Sequence, residues 1–353
     1  MIHIDATRLP RIMQCLGSVD MPCPVPNYDD DPTARDEGNA AHYMAQQVFE
    51  GKAINDLIGQ RAYNGVVMDS AMGQHVTTYL QALDCGQMEV VTNWGTVAGR
   101  ADHISWRPEI STLTIDDFKY GYRLVEPDEN WTLISHAIGW CILNGVQPER
   151  IILRIHQPRR AHPLGPTREW SVTYPQLEDY YARITDRLAS NDRTLQTGPL
   201  CAKCPSASIC PAYRESTYNA IDATTHQFTD ALSEQQLSDE MTLLTHATDA
   251  LSGRKKALEE LMRHKIESGA IIPKYMVDIQ HANRRFKSAF TPEVIKLMTG
   301  VDATESKACT PAELERRGAS PEIIQLITER PVTARKLVRT SADAKARKLL
   351  KKG

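Results

Sequence analysis

TLTIDDFKYG, residues 112–121, decides the fold. Its apolar residues recur at a period of two, which marks a strand rather than a helix. Alternation puts Ile115, Asp117 and Lys119 on one face and Asp116 and Phe118 on the other. Upstream, MEVVTNW (88–94) and TVAGRADHISW (96–106) keep the same period, and the turns NWG and RPEIS join the three runs into a meander. On either side the period lengthens. DEGNAAHYMAQQVFEG (36–51), MDSAMGQHVTTYLQALDCG (68–86), WTLISHAIGWCILNG (131–145) and YPQLEDYYARITDRLAS (174–190) read as helices, and ERIILRIHQPR (149–159) as a further strand. Helices before and after a small sheet predict an α/β fold with a central mixed sheet flanked by helices.

The chain has 353 residues, 41% apolar and 24% charged, as expected of a globular protein of about two domains. No run approaches the roughly 18 apolar residues of a membrane span, and MIHIDATRLPRIMQC lacks the order of a signal peptide. The expectation is a cytoplasmic protein without a membrane partner. A pattern change near residue 220 suggests a first domain over 1–220 and a mainly helical region over 221–353. The second region opens with a long amphipathic run (232–269) and continues with TPEVIKLMTG, TPAELERRG and SPEIIQLITERP, each led by a Thr-Pro or Ser-Pro cap. Net charge is −3, but residues 330–353 carry nine Lys or Arg against Asp343 alone, so this tail reads as a DNA arm or a solubilising end.

Asp117 is better placed than Asp116 to pair with Lys119, because the two share a face. An antiparallel neighbour would bring Asp102, in GRAD, beside Asp117. Converging carboxylates suit a hard cation such as Mg²⁺, which binds through one or two carboxylates and substrate phosphate. A lysine beside them suits metal-assisted phosphodiester hydrolysis. His42, five residues after Glu37 on the first long helix, offers an imidazole that favours Mn²⁺ or Mg²⁺.

Glu37, Gly38 and His42 (EG-x3-H), then Gly99 to Asp102 (G-x2-D), then Asp117 to Lys119 (D-x-K), in that order, resemble the RecB-type branch of the PD-(D/E)XK nucleases. The resemblance implies a restriction-endonuclease-like core. It implies His42, Asp102 and Asp117 as metal ligands, Lys119 as the catalytic lysine and Glu37 as a further site residue. The family often adds Gln-x3-Tyr on the next helix, contacting DNA or the active site. Here His136 and Trp140 hold that spacing.

Eight cysteines are sparse except for CAKCPSASIC (201–210), whose Cys201, Cys204 and Cys210 give C-x2-C-x5-C. Three thiolates are one short of a tetrahedral site or a cluster. Cys15 is the preferred fourth ligand and Cys23 its competitor. One upstream cysteine with a downstream trio, flanking the nuclease motifs, resembles the iron–sulfur subgroup of the same family, including AddB-type subunits and CRISPR adaptation nucleases. That likeness implies a structural [4Fe–4S] cluster, with zinc the rival occupant. Cys85, Cys141 and Cys309 read as small core or surface residues.

QPRRAHPLGPTREW (157–170) carries Arg159, Arg160 and Arg168 near Trp170 and suits phosphate contacts. It also resembles a stretch in phage and bacterial members of that nuclease family. No G-x4-GK[ST] is present, so unwinding falls to a partner, a helicase or a single-strand annealing or binding protein. Together these readings predict a Mg²⁺- or Mn²⁺-dependent DNA exonuclease of phage or bacterial recombination, repair or replication. The other expectation is a nuclease fold kept as a weakly active DNA-binding or assembly subunit.

Overall fold

A computed structural model describes residues 4–26, 32–223, 233–281, 285–286, 292–300, 310–329 and 332–339. The chain forms two compact units, residues 1–257 and 258–353. The division lies inside the long helix, further along than residue 220.

In the first unit the elements run β1 (Ile4–Asp5), α1 (Leu9–Gln14), α2 (Pro32–Phe49), α3 (Ile54–Leu57), α4 (Ser70–Gln81), β2 (Gln87–Val91), β3 (Val97–Ala98), β4 (Arg100–Arg107) and β5 (Thr112–Phe118). Then follow α5 (Trp131–Asn144), β6 (Arg150–His156), β7 (Thr167–Val172), α6 (Tyr174–Ala189), α7 (Pro211–Ala223) and the start of α8 (Glu234–Glu267). Five strands form a mixed sheet in the order β2-β4-β5-β6-β7. Only β5 and β6 run parallel within it, joined through α5; the other neighbours are antiparallel. The fold is therefore α/β with a mixed central sheet flanked by helices.

Local chemistry sets the ends of these elements. Asn130 caps α5 by accepting from the amides of Thr132 and Leu133, and Gly145, at φ 64°, closes it in the left-handed region that glycine tolerates. Thr173 and Gln176 form a capping box at the start of α6. Asp69 accepts from Met72 N–H at the start of α4.

All seven residues of β5 are buried, as befits a central strand covered on both faces. On one side Leu113 and Ile115 pack with Leu133, Ile134 and Ala137 of α5 and Leu177 and Ile184 of α6. On the other, Phe118 packs with Met44 of α2 and Val76 and Tyr79 of α4. Tyr79 stacks on Phe118 with centroids 4.5 Å apart. Truncating a fully buried Leu or Ile in either layer costs about 2–5 kcal/mol.

The basic stretch 157–170 ends in a strand that its composition does not announce: β7 pairs with β6 at the sheet edge.

The second unit contains the end of α8, then β8 (Tyr275–His281), β9 (Arg285–Phe286), α9 (Pro292–Thr299), α10 (Pro311–Arg316), α11 (Pro321–Ile327), β10 (Thr328–Glu329) and β11 (Val332–Arg339). Its core is Ile295, Leu314, Ala319, Ile324 and Ile327. The three short helices begin at Pro292, Pro311 and Pro321, where the Thr-Pro and Ser-Pro signals place them. Beside its helices this region also holds two antiparallel ladders, β8 with β11 and β9 with β10, which the sequence reading did not foresee. Within the basic end, Val332–Arg339 form a strand paired to β8 rather than a disordered segment. Residues 340–353 and Cys309 lie outside the described residues. Among the described residues, no helix is long and apolar enough to cross a membrane.

Candidate functional site

A cavity of about 680 Å³ opens at one end of the sheet, walled by β1, α2, β2, β4 and α5. His42, Glu89 and Asp102 line it, each offering a ligand atom within 4.8 Å of the others. His42 Nδ1 lies 3.6 Å from Asp102 Oδ1. The His42 ring meets the edge of Phe118, whose backbone N–H in turn donates to Asp102 Oδ2 at 2.7 Å. The donor set is one imidazole nitrogen and two carboxylates, the mixture that suits Mn²⁺ or Mg²⁺.

Glu89 escaped the sequence reading. No motif spacing marks it, and the only signal is its place in the strand before GRAD. Its backbone is left-handed, at φ 56°. In the β2–β4 ladder, Met88 pairs with His103 and Val90 with Ala101, leaving Glu89 and Asp102 as the unpaired step between them. Arg100 Nε holds Glu89 Oε2 at 2.7 Å. Burial pushes the Glu89 carboxyl above its usual range; Arg100 opposes that and Asp102 adds to it.

The expected pair is present: Lys119 Nζ donates to Asp117 Oδ1 at 2.8 Å and lies 2.7 Å from Oδ2. The β4–β5 ladder matches His103 with Asp116, so the next step sets Asp102 across from Asp117. Burial works against the Lys119 ammonium, yet Asp117 and Asp102 outweigh it and hold its pKa above the ordinary lysine value. The side chain still keeps 38% of its surface exposed. Asp117 Oδ2 is buried and accepts no well-directed hydrogen bond, a carboxylate oxygen left with capacity to spare. Asp117 and Lys119 are not on the cavity wall itself; Asp102 connects them to it.

His136 of α5 also lines the cavity, its Nδ1 2.7 Å from the hydroxyl of Thr92. Burial lowers its pKa despite the carboxylates of Asp117 and Asp102, so the ring is neutral at neutral pH. The glycine of G-x2-D has a steric reason: a Cβ on Gly99 would come within 2.8 Å of the His136 ring and 2.9 Å of Ala6. Trp140, one turn on, packs against Trp106 with centroids 5.6 Å apart and belongs to the core rather than to the cavity.

Asp116 serves the opposite face. Fully buried, it bonds His103 Nδ1 at 2.9 Å and His156 Nε2 at 2.7 Å. Burial favours its neutral form, but the two imidazole hydrogen bonds prevail and keep the carboxyl below its usual range. Arg154 stands 3.8 Å away, tied also to Asp84 and Glu169.

Three expected DNA or site contacts are spent inside the protein. Glu37 pairs with Arg159 at 2.7 Å and does not line the cavity. Arg159 also donates to the Tyr122 hydroxyl and lies between the rings of Tyr120 and Tyr122, at 4.3 and 4.2 Å. Arg168 is only 3% exposed and bonds Glu126, the Val125 carbonyl and Gln157. These two arginines are therefore corrected to structural cations. Arg160 is exposed on the loop between β6 and β7.

Cys15, Cys201, Cys204 and Cys210 line one small cavity of about 20 Å³. Cys23 does not; its thiol donates to the Val25 carbonyl, which favours Cys15 as the fourth member. Backbone N–H groups of Gln196 and Gly198 donate to the sulfurs of Cys15 and Cys201, both at 3.3 Å. Burial pushes the Cys201 and Cys204 thiols up. Four thiols with amide donors fit a thiophilic centre. The free volume between them is that of a single ion or water, and no three of the sulfurs lie within 4.8 Å of one another.

Residues 6–345 match a family model described as "Protein of unknown function (DUF2800)". No curated protein matches the chain.

Proposed function

We propose that this chain, which belongs to the DUF2800 family, is a divalent-metal-dependent deoxyribonuclease, acting as an exonuclease on DNA in recombination, repair or replication. The observation that supports it most is the meeting of His42, Glu89 and Asp102 at one cavity wall, with Asp117 and Lys119 one strand away. The order of those residues resembles RecB-type PD-(D/E)XK nucleases. Glu89 replaces Glu37 in this reading.

His42, Glu89 and Asp102 would hold the cation, with Asp117 behind them, across the β4–β5 ladder from Asp102. When bound, Mg²⁺ or Mn²⁺ supplies charge neutralisation at the scissile phosphate and acidifies an attacking water. Lys119, kept cationic by its two carboxylates, offsets the charge that builds on the phosphate. The Phe118 N–H fixes the Asp102 carboxylate in place, so no reorientation is needed on binding. His136, neutral and anchored by Thr92, presents its remaining ring nitrogen as a hydrogen-bonding group at the cavity wall.

The four thiols form a separate, structural clasp, a [4Fe–4S] cluster by family likeness. Joining Cys15 to the 201–210 segment closes most of the domain into one loop, which by analogy with a cross-link stabilises it by about 5 kcal/mol. Iron, sulfide and zinc analysis of the purified protein identifies the occupant.

The test of activity is degradation of end-labelled linear, nicked and circular DNA with Mg²⁺ or Mn²⁺. Asp117→Ala and Lys119→Ala are expected to abolish it while leaving the clasp metal in place. Cleavage by both variants at the parent rate refutes the assignment. DNA binding without cleavage by the parent identifies an assembly subunit instead.

A further inference from the structure

The cavity carries more than metal ligands. Asn39, Tyr43 and Gln46 lie on one face of α2, beside His42, and form its wall together with Tyr63. Tyr63 is 73% exposed, an unusual position for a large aromatic ring at the rim of a polar cavity. It stands at the tip of a tight loop bridged between Arg61 and Val67. That loop is closed by Ala62 N–H to Val66 O at 2.8 Å and by the Arg61 guanidinium on the Gly65 carbonyl at 2.7 Å. Asn64 pins it to α2 by donating to the Asp36 carbonyl at 2.7 Å. The edge-on ring of Tyr43, with centroids 5.7 Å apart and planes at 78°, supports Tyr63 from one side. The loop therefore holds an aromatic face out to solvent without using it in the core.

Resting on the nuclease reading above, we propose that Tyr63, buttressed by Tyr43 and flanked by Asn39 and Gln46, forms a stacking subsite for an unpaired nucleobase beside the candidate metal centre, so that the chain takes single-stranded DNA in preference to duplex. Every base has a π-face, and stacking on an aromatic side chain tolerates any sequence. Asn39 offers a carboxamide with both donor and acceptor to a base edge. Gln46 donates to Glu50 and keeps its carbonyl oxygen as an acceptor. A base inside a duplex shows no free face to Tyr63 unless it is first extruded, at the cost of unstacking. A cavity of about 680 Å³ is in the size range of a small-ligand site and accommodates one nucleotide unit rather than a helix.

The experiment measures anisotropy of a short labelled DNA strand, and of its flush-ended duplex, with Mg²⁺ in an Asp117→Asn background to suppress turnover. Tyr63→Ala is expected to weaken single-strand binding roughly tenfold and Tyr63→Phe to change it less than about twofold, with duplex binding unmoved. Because Tyr63 is exposed, neither variant removes core packing, and melting curves confirm this. Equal binding by parent and Tyr63→Ala, an equal loss on both DNA forms, or no single-strand binding by the parent overturns the subsite. The companion measurement is single-strand cleavage in the Asp117 parent. Tyr63-dependent binding without cleavage sinks the nuclease reading and keeps the subsite. Cleavage with a KM indifferent to Tyr63→Ala sinks the subsite and keeps the nuclease.

Discussion

Glu89 faces Asp102 across the β2–β4 ladder at the one step where pairing is broken, with its backbone held at φ 56°. A non-glycine residue in that region costs of order 1 kcal/mol or more, and such strain gathers at functional sites. Glu89→Gln is expected to weaken Mn²⁺ binding at least roughly tenfold, read by calorimetry or by loss of the free-ion EPR signal. Glu37→Gln should leave that affinity unchanged. The reverse ranking would return the ligand role to Glu37.

The same residue predicts a stability ordering. Glu89→Gly relieves the left-handed strain, whereas Glu89→Ala keeps it, so the glycine variant should be the more stable by about 1 kcal/mol in metal-free melts. An alanine variant as stable as the glycine variant would show that the conformation carries no strain.

Asp116 makes an acid-dependent contribution to stability. Its folded-state pKa is depressed by His103 and His156, so the unfolded chain takes up the proton first. The stabilisation is therefore fully present above the unfolded-state value and is lost as the solution falls below about pH 4. Asp116→Asn is expected to lower stability at pH 7 by about 3–5 kcal/mol, the cost of breaking a buried charged network. The gap to the parent should shrink on acidification through that window. Melting midpoints that stay equally far apart at every pH would refute this.

Arg159 ties the loops after β5 and β6 to α2 through Glu37, Tyr122 and two aromatic faces. Arg159→Ala should cost about 1–2 kcal/mol, and Arg159→Lys should recover little of it, because an ammonium cannot stack as a planar guanidinium does. Denaturant midpoints measure this, and Mn²⁺ affinity should not move. Full rescue by lysine would reduce the contact to simple charge.

The cysteines divide by access. Burial pushes the Cys141 thiol up to about 12, leaving almost no thiolate at pH 8. Cys23 and Cys85 are exposed. Alkylation of the native protein, mapped by mass spectrometry, should label Cys23 and Cys85 and spare Cys141. Cys204→Ser should lower stability and release the clasp metal. An unchanged metal content in that variant would remove Cys204 from the clasp.

Much of this architecture is legible in the periodicities. The meander over 88–118, the helix closed by Gly145 and the strand over 150–156 stand where the pattern puts them, because short-range alternation and caps determine them. Asp117 and Lys119 share a side chain contact for the same reason. What could not be read depends on distant partners. Arg168 looks like a surface cation until Glu126 and Gln157 are seen to enclose it. His103 and His156 become partners only through a sheet register that joins three strands around Asp116. Glu89 reaches the cavity through a backbone twist that no side-chain pattern encodes. The strand β7 hides in a proline-flanked basic stretch because an edge strand needs only one apolar face.

Ser111, at φ 45°, closes the short connection that launches β5 immediately after β4. Two adjacent aspartates then leave the sheet in opposite directions, one locked between imidazoles, the other beside the amine. Removing a single residue from that connection would slide the strand by one place: the lysine's partner would enter the imidazole site, the histidine-bound acid would take the apolar place of Ile115, and Phe118 would stand where Asp117 does. The chain can thus lose its chemistry through a one-residue deletion that alters neither acid, which makes the length of this bend as much a part of the site as the groups it aims.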